Sequence, residues 1–447
     1  MILFCDDFCF KLSHPSPPGP RPPGRAQGAT RSSTTMEIVA RAATDIGRKK
    51  RSNEDTFHIS PELKLYIVAD GMGGHAAGEV ASAQAVESAR AAVADGLAAL
   101  QSVDPQQARA HHLALIERAV RQAGRDIFTM AEQDISKRGM GTTVSLLLLT
   151  PTRGYIAHVG DSRIYLLRND EVFQLTDDHS LIRELIRSKR LTPEEAENSP
   201  YRNALTRAVG VYADVEVDLL DFEIAEGDRF LLCSDGLSNY LQEDLEIATL
   251  LAEGSFESAP GRFVDMANAR GGKDNITAVF VEIKSKGAQK DDIAFRLNIL
   301  REMPIFQHLE YVELIEVLNV SRQRRFAAGE EIFAEGADGD EMFVILEGQV
   351  SIRKSGQEVI TLGQGGHFGE MALMDRNKRS AGAVALEATR VISVQRRPLF
   401  HLMNQNKEIA VKLLWCFMQV LTQRLRYTTE DLERERNTRV NAVFNLD

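Results

Sequence analysis

At 447 residues the chain exceeds what one ordinary hydrophobic core spans, so two domains are the first expectation. Hydrophobic residues make up 43% and charged residues 26%, the balance of a soluble globular protein, and a net charge of −11 excludes general attraction to nucleic acid or to an anionic membrane surface. No apolar run approaches the roughly 20 residues that cross a bilayer, and the reading is a cytoplasmic protein.

Residues 1–36 stand apart as a leader. The stretch "PSPPGPRPPGRAQGATRSSTT" is rich in Pro, Gly, Ser and Arg, cannot bury a core and reads as disordered, with Met36 as an alternative start. "MILFCDDFCF" lacks the basic opening and small-residue cleavage site of a secretory signal. Cys5 and Cys9 have no partner ligands for a metal, while Cys233 and Cys416 stand alone in apolar segments, as thiols of a reducing compartment do.

From 37 to 284, β-rich runs alternate with Ala-rich helical stretches. "LYIVAD", "TVSLLLLT", "GYIAHVG", "RIYLLR", "DRFLLCS" and "ITAVFVEI" read as strands, and apolar spacing predicts helices over 79–100 and 106–132. Adjacent strands with tight connections argue for antiparallel sheet covered by helices, not a βαβ alternation. A polar linker follows at 285–292. Residues 293–447 then open on the helical "IAFRLNILREMPIF", pass through glycine-dense short strands that read as a small β-barrel, and close on a long amphipathic helix.

Aspartates recur where apolar strands end beside glycine: Asp70 in "VADGMGG", Asp161 in "HVGDSR", Asp235 in "LLCSDGL" and Asp274 in "GGKDNIT", with Glu54 and Asp55 in "SNEDT". One such residue is usually a turn or cap. Several, at the converging ends of one sheet, would repel one another unless cations lay between them, which points to hard metals such as Mg or Mn with oxygen ligands.

The motifs "TDIGRKKRSNED", "VADGMGGHAAGE", "GMGTTVSLLLL", "HVGDSRIYLLR", "LTDDHSL", "LTRAVG", "LLCSDGLSNYL" and "GGKDNITAVFVEI" resemble, in this order, those of the metal-dependent protein phosphatase 2C family, bacterial type. The resemblance covers 37–284 and implies an α+β fold, a β-sandwich flanked by helices, with two to three Mg or Mn ions at one end. Carried over by motif, Asp70 bridges two metals and the Gly71 carbonyl adds an oxygen. Glu54 serves one metal, Asp235 and Asp274 the other, and Asp161 with Asp235 a third. Gly71, Gly73 and Gly74 let the backbone approach without a Cβ. A metal-activated water would attack the phosphorus of phosphoserine or phosphothreonine in line. The family often has an arginine three residues before "NED"; Lys50 holds that spacing and Arg51 follows, so the phosphate-binding cation is one of these two. Met72 stands where eukaryotic members place a histidine, which leaves a metal-bound water as the proton donor and His75 as the alternative. Residues 181–205, charged and helix-like, lie where the family carries a flap beside the site.

In the second region, "GGHFGEMALMDRNKRSAGAV" follows the barrel-like stretch and resembles the phosphate cassette of cyclic-nucleotide-binding domains, a β-roll with a C-terminal helix. The resemblance implies Glu370 on the ribose 2′-hydroxyl, Arg379 forked onto the cyclic phosphate, and backbone amides near Gly369 and Ala372 as further donors. Gly382 replaces a hydroxyl residue, Ser380 follows the arginine, and cyclic AMP is favoured over cyclic GMP. In the closing helix Leu413, Leu414, Phe417, Leu421 and Leu425 read as one broad face, a lid over the base or a homodimer seam. The expectation is a bacterial serine/threonine phosphoprotein phosphatase regulated by cyclic nucleotide. The alternatives are a non-catalytic phosphoprotein-binding scaffold, or an active phosphatase whose C-terminal domain only dimerises.

Overall fold

The computed structural model describes residues 36–73, 77–100, 105–197, 199–241, 244–285, 292–375 and 377–444. The leader before Met36, Gly74, His75 and most of the expected linker lie outside these residues.

Two antiparallel sheets form the first half. One runs in the order Glu37–Asp45, Ile276–Ser285, Arg229–Cys233, Arg163–Arg168, Glu171–Gln174; the other runs Asp55–Ser60, Leu65–Met72, Val144–Leu149, Arg153–Val159, Asp218–Glu223, with Gly141–Thr142 paired to the end of Leu65–Met72. The two-residue period of a strand explains how they stack. Tyr66 and Val68 face the space between the sheets with Leu147, Ile164, Leu166, Phe230, Leu232, Val279 and Val281. Leu65, Ile67 and Ala69 face outward, onto the Ala81, Ala85 and Ala89 stripe of helix Ala77–Leu100 and onto helix Pro105–Gln133. On the other side Leu231, Cys233 and Phe280 pack against Ile247 of helix Asp244–Ala252 and Phe263 of helix Ala259–Ala269. The expected sandwich between helical layers is therefore present.

The second half holds two four-stranded antiparallel sheets: Ser321–Phe326, Thr389–Gln395, Glu341–Glu347, His367–Phe368, and Glu331–Phe333, Gly382–Ala385, Val350–Lys354, Gln357–Leu362. Phe326, Ile332, Phe343, Phe368 and Val391 fill the roll. Helices Ile293–Glu302, Tyr311–Asn319, Arg396–Gln405 and Lys407–Phe444 complete it.

The halves share one hydrophobic cluster that runs from the sandwich interior through Leu297, Leu300 and Phe306 to Leu399, Leu413 and Phe417. Buried polar groups join them as well. Asp221 accepts from Arg109 and Arg153, and Asn319 ties the group together, donating to the Asp221 carbonyl at 2.6 Å and accepting from Arg153 at 2.5 Å. Arg168 grips Asp228 with two bonds and donates to the Tyr311 hydroxyl, and Tyr311 stacks on Phe173 with centroids 3.5 Å apart.

The closing helix differs from the expected single face. Leu413 and Phe417 are buried with Ile409 and Cys416, whereas Leu414, Leu421 and Leu425 are exposed with Val411, Trp415 and Met418. A helix turns 100° per residue, so 413 and 414 cannot share a narrow stripe.

Candidate active site

The strand period that fills the sandwich also aims the carboxylates. Asp70 continues the series Tyr66, Val68 toward the end of the inter-sheet space, and Asp55 stands opposite it on the neighbouring strand. Thr277, two residues before Val279 on the other sheet, donates to the Asp55 carboxylate at 2.6 Å, and Ser234 Oγ donates to the same oxygen at 2.7 Å. Asp55 therefore joins the sheets beneath the site. Asp235 opens a short helix right after Ser234, and Asp274 lies on the turn into Ile276–Ser285.

Thr143 holds Asp70 from the side: its amide donates to the Asp70 carbonyl at 2.9 Å and its Oγ1 accepts the Asp70 amide at 2.9 Å. Asn275 holds the Glu54 loop, accepting the Glu54 amide at 2.8 Å and donating to the carbonyls of Ile46 and Ser52. Gly71 must be glycine, since a Cβ there would lie 2.1 Å from the Gly78 carbonyl oxygen.

Electrostatics mark the cluster. Burial, followed by the charges of Asp55, Asp235, Asp161 and Asp274, pushes the Asp70 carboxyl well above the ordinary range. Burial pushes Asp55 and Asp161 up to about 7, and burial followed by the charge of Asp274 raises Asp235. Burial also raises Glu54. Lys50 answers these charges. Its Nζ lies 2.6 Å from Asp274, and against the cost of its own burial the carboxylates of Asp274, Asp70 and Glu54 hold its ammonium above the usual value. Among the described residues no three acidic, His or Cys side chains close into a preformed cage. Arg51 is exposed, and Met72 ends the Asp70 strand.

A 190 Å³ cavity beside the cluster is lined by Asp161, Asp178 and Asp235 together with Ile182, Ala196 and Arg202. The latter belong to the expected flap, which contains helices Leu181–Arg187 and Pro193–Glu197. Asp178, absent from the residues singled out in the sequence, takes two bonds from Arg163, at 2.8 and 2.7 Å, and so supports the turn carrying Asp161. Thr143, Asn275, Ser234 and Thr277 were likewise missed, although each sits in or beside a quoted motif with a side chain able to hydrogen-bond.

The second site is a 530 Å³ pocket in the roll, lined by Phe333, Ile352, Ile360 and Leu362 and by the stretch His367–Ala372 with Arg379 and Ser380. Arg379 is buried, lies 4.1 Å above the Phe333 ring, and spends its terminal nitrogens on the Gly369 and Glu341 carbonyls; its Nε has no partner among the described residues. Burial pulls the guanidinium below its usual value despite the charges of Glu341, Asp340 and Glu370. Such a group favours an anion. Glu370 is buried beside it. The Ala372 amide, expected as a ligand donor, is bonded to the Gly369 carbonyl at 3.1 Å. No described residue of the closing helix lines the pocket.

The Protein phosphatase 2C family profile matches residues 46–277, and the Cyclic nucleotide-binding domain profile matches 323–406. The serine/threonine phosphatase stp of Listeria innocua is 38% identical over 242 residues, 54% of this chain and 93% of that one. The crystal structure of the phosphatase Stp1 from Staphylococcus aureus, 32% identical, covers 56% of this chain and 96% of its own at a TM-score of 0.50. The catalytic domain of the phosphatase PstP, solved in complex with 2 manganese ions, is 33% identical and covers 56% of this chain and 100% of its own at a TM-score of 0.49. The chain thus belongs to the protein phosphatase 2C family of metal-dependent serine/threonine phosphatases and carries a cyclic nucleotide-binding domain behind its phosphatase domain.

Proposed function

We propose that the chain removes phosphate from phosphoserine and phosphothreonine of protein substrates at a centre of two to three Mg or Mn ions, at a rate set by a cyclic nucleotide in the C-terminal pocket. The observation that carries the metal centre is the gathering of Asp161 and Asp235 about Asp70, whose carboxyl their charges raise, with Asp161 and Asp235 lining one cavity and a buried Asp235 oxygen that lacks a partner among the described residues. Hard divalent ions fit such an oxygen set. In this reading Asp70 would hold two ions with the Gly71 carbonyl adding an oxygen, Glu54 would serve one, Asp235 and Asp274 the other, and Asp161 with Asp235 a third. Bound there, the ions supply a water acidic enough to act as nucleophile near neutral pH and the positive charge that phosphoryl oxygens require.

The protein's own groups do the positioning. Lys50, within 2.6 Å of Asp274, supports the reading that it, and not Arg51, is the cation that meets the substrate phosphate. Asp55 keeps both sheets in register under Asp70 and Asp235. Met72 carries no proton to donate. In the pocket, Arg379 would take the cyclic phosphate and Glu370 the ribose hydroxyl, with Ile352, Ile360 and Leu362 against the base; Gly369 and Ser380 line the phosphate end. Cyclic AMP is favoured. The domain limits follow as 37–284 for catalysis and 293–447 for sensing, in the cytoplasm. Among the described residues no helix is long and apolar enough to cross a membrane.

The test is phosphate release from a phosphothreonine peptide with and without Mn, in the full chain and in Asp235→Asn. Dependence on both supports the centre; a metal-independent rate opposes it, and no rate in any condition would favour the phosphoprotein-binding scaffold.

A second reading has its own support. The exposed residues Val411, Leu414, Met418, Leu421 and Leu425 alternate by three and four, the spacing of a two-helix seam, which favours a homodimer through the closing helix. In that case the C-terminal domain dimerises the enzyme without regulating it, and the rate ignores nucleotide.

A further inference from the structure

The flap helix Leu181–Arg187 stands between the phosphatase site and the regulatory helices. Its Arg183 Nε donates to Asp177 at 2.6 Å, and Arg187 divides itself between Asp177, at 3.3 Å, and Glu408, at 3.9 Å, in the first turn of the closing helix. Glu408 belongs to a charged knot. Lys412, one turn on, meets Glu408 at 3.5 Å, Glu310 at 3.7 Å and Glu313 at 2.8 Å, the last two from the start of helix Tyr311–Asn319. Glu310 also acts on Arg183, after Asp177 and Asp178. The flap is thus held from both sides, by the phosphatase loop and by the regulatory domain.

Each end of this contact continues to a site. On the phosphatase side, the Asp177 carbonyl meets His158 Nε2 at 3.1 Å, and the adjacent Asp178 takes both bonds from Arg163, two residues after Asp161. The same helix contributes Ile182 to the lining of the cavity that Asp161 and Asp235 also line. On the regulatory side, Arg396, first residue of helix Arg396–Gln405, donates to the Ala372 carbonyl at 2.9 Å and reaches the Gly339 carbonyl at 3.5 Å. Ala372 lines the nucleotide pocket, and Gly339 lies under Arg379, where a Cβ would fall 2.2 Å from its Nε. That helix ends at Asn406, whose Oδ1 accepts the amides of Glu408 and Ile409 and so sets the direction in which the closing helix leaves.

We propose that Arg187 and Glu408 form the coupling contact through which the nucleotide-binding domain controls the flap over the phosphatase site. An anion that engages Arg379 alters the Gly339 and Ala372 carbonyls, Arg396 carries the change to Asn406, and the first turn of the closing helix turns Glu408 away from Arg187. Released, Arg187 settles fully on Asp177, and the flap helix resets its distance from Asp161. The pair is half-exposed and individually weak, which suits a contact that must open and re-form. The coupling rests on the regulatory reading above and adds to it the element that is moved.

The test uses the full Mn-loaded chain, with Glu408→Gln and Arg187→Gln as separate variants. Dephosphorylation of a phosphothreonine peptide is measured with and without cyclic AMP and cyclic GMP, and hydrogen exchange of residues 181–187 is followed in the same samples. The wild-type rate changes with one nucleotide, and in either variant that change shrinks by about twofold to fivefold, the range one surface ion pair can carry. Turnover of p-nitrophenyl phosphate by Glu408→Gln without nucleotide stays at the wild-type level. A nucleotide response equal to wild type in both variants overturns the proposal. If wild type itself ignores nucleotide, the regulatory reading fails, and exchange decides the contact: faster exchange of 181–187 in Glu408→Gln supports it, unchanged exchange overturns it.

Discussion

Asp55 lies directly across the strand ladder from Asp70, yet its carboxylate reaches the opposite sheet and takes the hydroxyl protons of Ser234 and Thr277. This places a structural acid immediately beneath the carboxylate proposed to hold the metals. Asp55→Ala removes the acceptor shared by two buried hydroxyls, at a cost of about 1–3 kcal/mol for each one left unpaired, and lowers both the urea midpoint and the Mn-dependent rate. Asp55→Asn keeps an acceptor at the same point, and because burial pushes the Asp55 carboxyl up to about 7, the neutral amide resembles the native group and costs less in a urea melt.

The carboxylate cluster predicts that metal acts as a stabiliser. At about 100-fold over its dissociation constant, Mn adds about 2.7 kcal/mol to the folded state if it binds only there. Thermal melts of the wild type therefore rise with Mn, and Asp235→Asn loses most of that rise along with its phosphatase rate. An equal rise in the variant would contradict the assignment of Asp235.

Lys50 supplies a charge-assisted contact, a class that contributes about 1.5–3 kcal/mol. In Lys50→Ala, kcat/KM for a phosphothreonine peptide falls about 10-fold to 150-fold, whereas Arg51→Ala, exposed at the next position, changes it little. Steady-state kinetics of the two variants separates these cations.

His158 predicts a pH dependence of stability. It is fully buried, bonded to Ser145 through Nδ1 and to the Asp177 carbonyl through Nε2, and burial pushes it down to about 4 from the ordinary 6.5. Between these values the unfolded chain binds the proton and the folded chain does not. Stability is therefore lost as pH falls from about 6.5 to about 4, by as much as about 3 kcal/mol from this residue. In His158→Gln that part of the slope disappears, which chemical denaturation at pH 7, 6 and 5 would reveal.

The nucleotide pocket predicts a backbone-to-guanidinium clash. Gly339→Ala places a methyl 2.2 Å from Arg379 Nε and displaces the guanidinium, weakening cyclic nucleotide binding as Arg379→Ala does, about 10-fold to 150-fold for a charged hydrogen bond. Calorimetric titration checks the loss, and the Mn-dependent rate without nucleotide is retained.

Sequence patterns made the site more legible than the scaffold around it. Asp70, Asp161 and Asp235 each end or follow an apolar strand and Asp274 leads into one, so local pattern alone exposed them. The strand Glu37–Asp45 escaped because it is a sheet edge with a half-exposed mixture of charged and small residues, and Asp218–Glu223 escaped because its acids serve interface arginines. The closing helix was misjudged because apolar residues on both its packed and exposed faces blur its period. Nothing local in Asn319 or Tyr311 signals that they bind Asp221 and Arg168 across the domain junction; only the tertiary fold brings these partners together.

The account is tested most directly by the initial rate at which the Mn-loaded full chain dephosphorylates a phosphothreonine peptide across a titration of cyclic AMP and, in parallel, cyclic GMP, with Arg379→Ala alongside. A metal-dependent rate that changes saturably with one nucleotide in the wild type, and stays flat in Arg379→Ala, is the predicted result. A metal-dependent rate indifferent to both nucleotides would contradict it and leave a phosphatase whose second domain serves assembly.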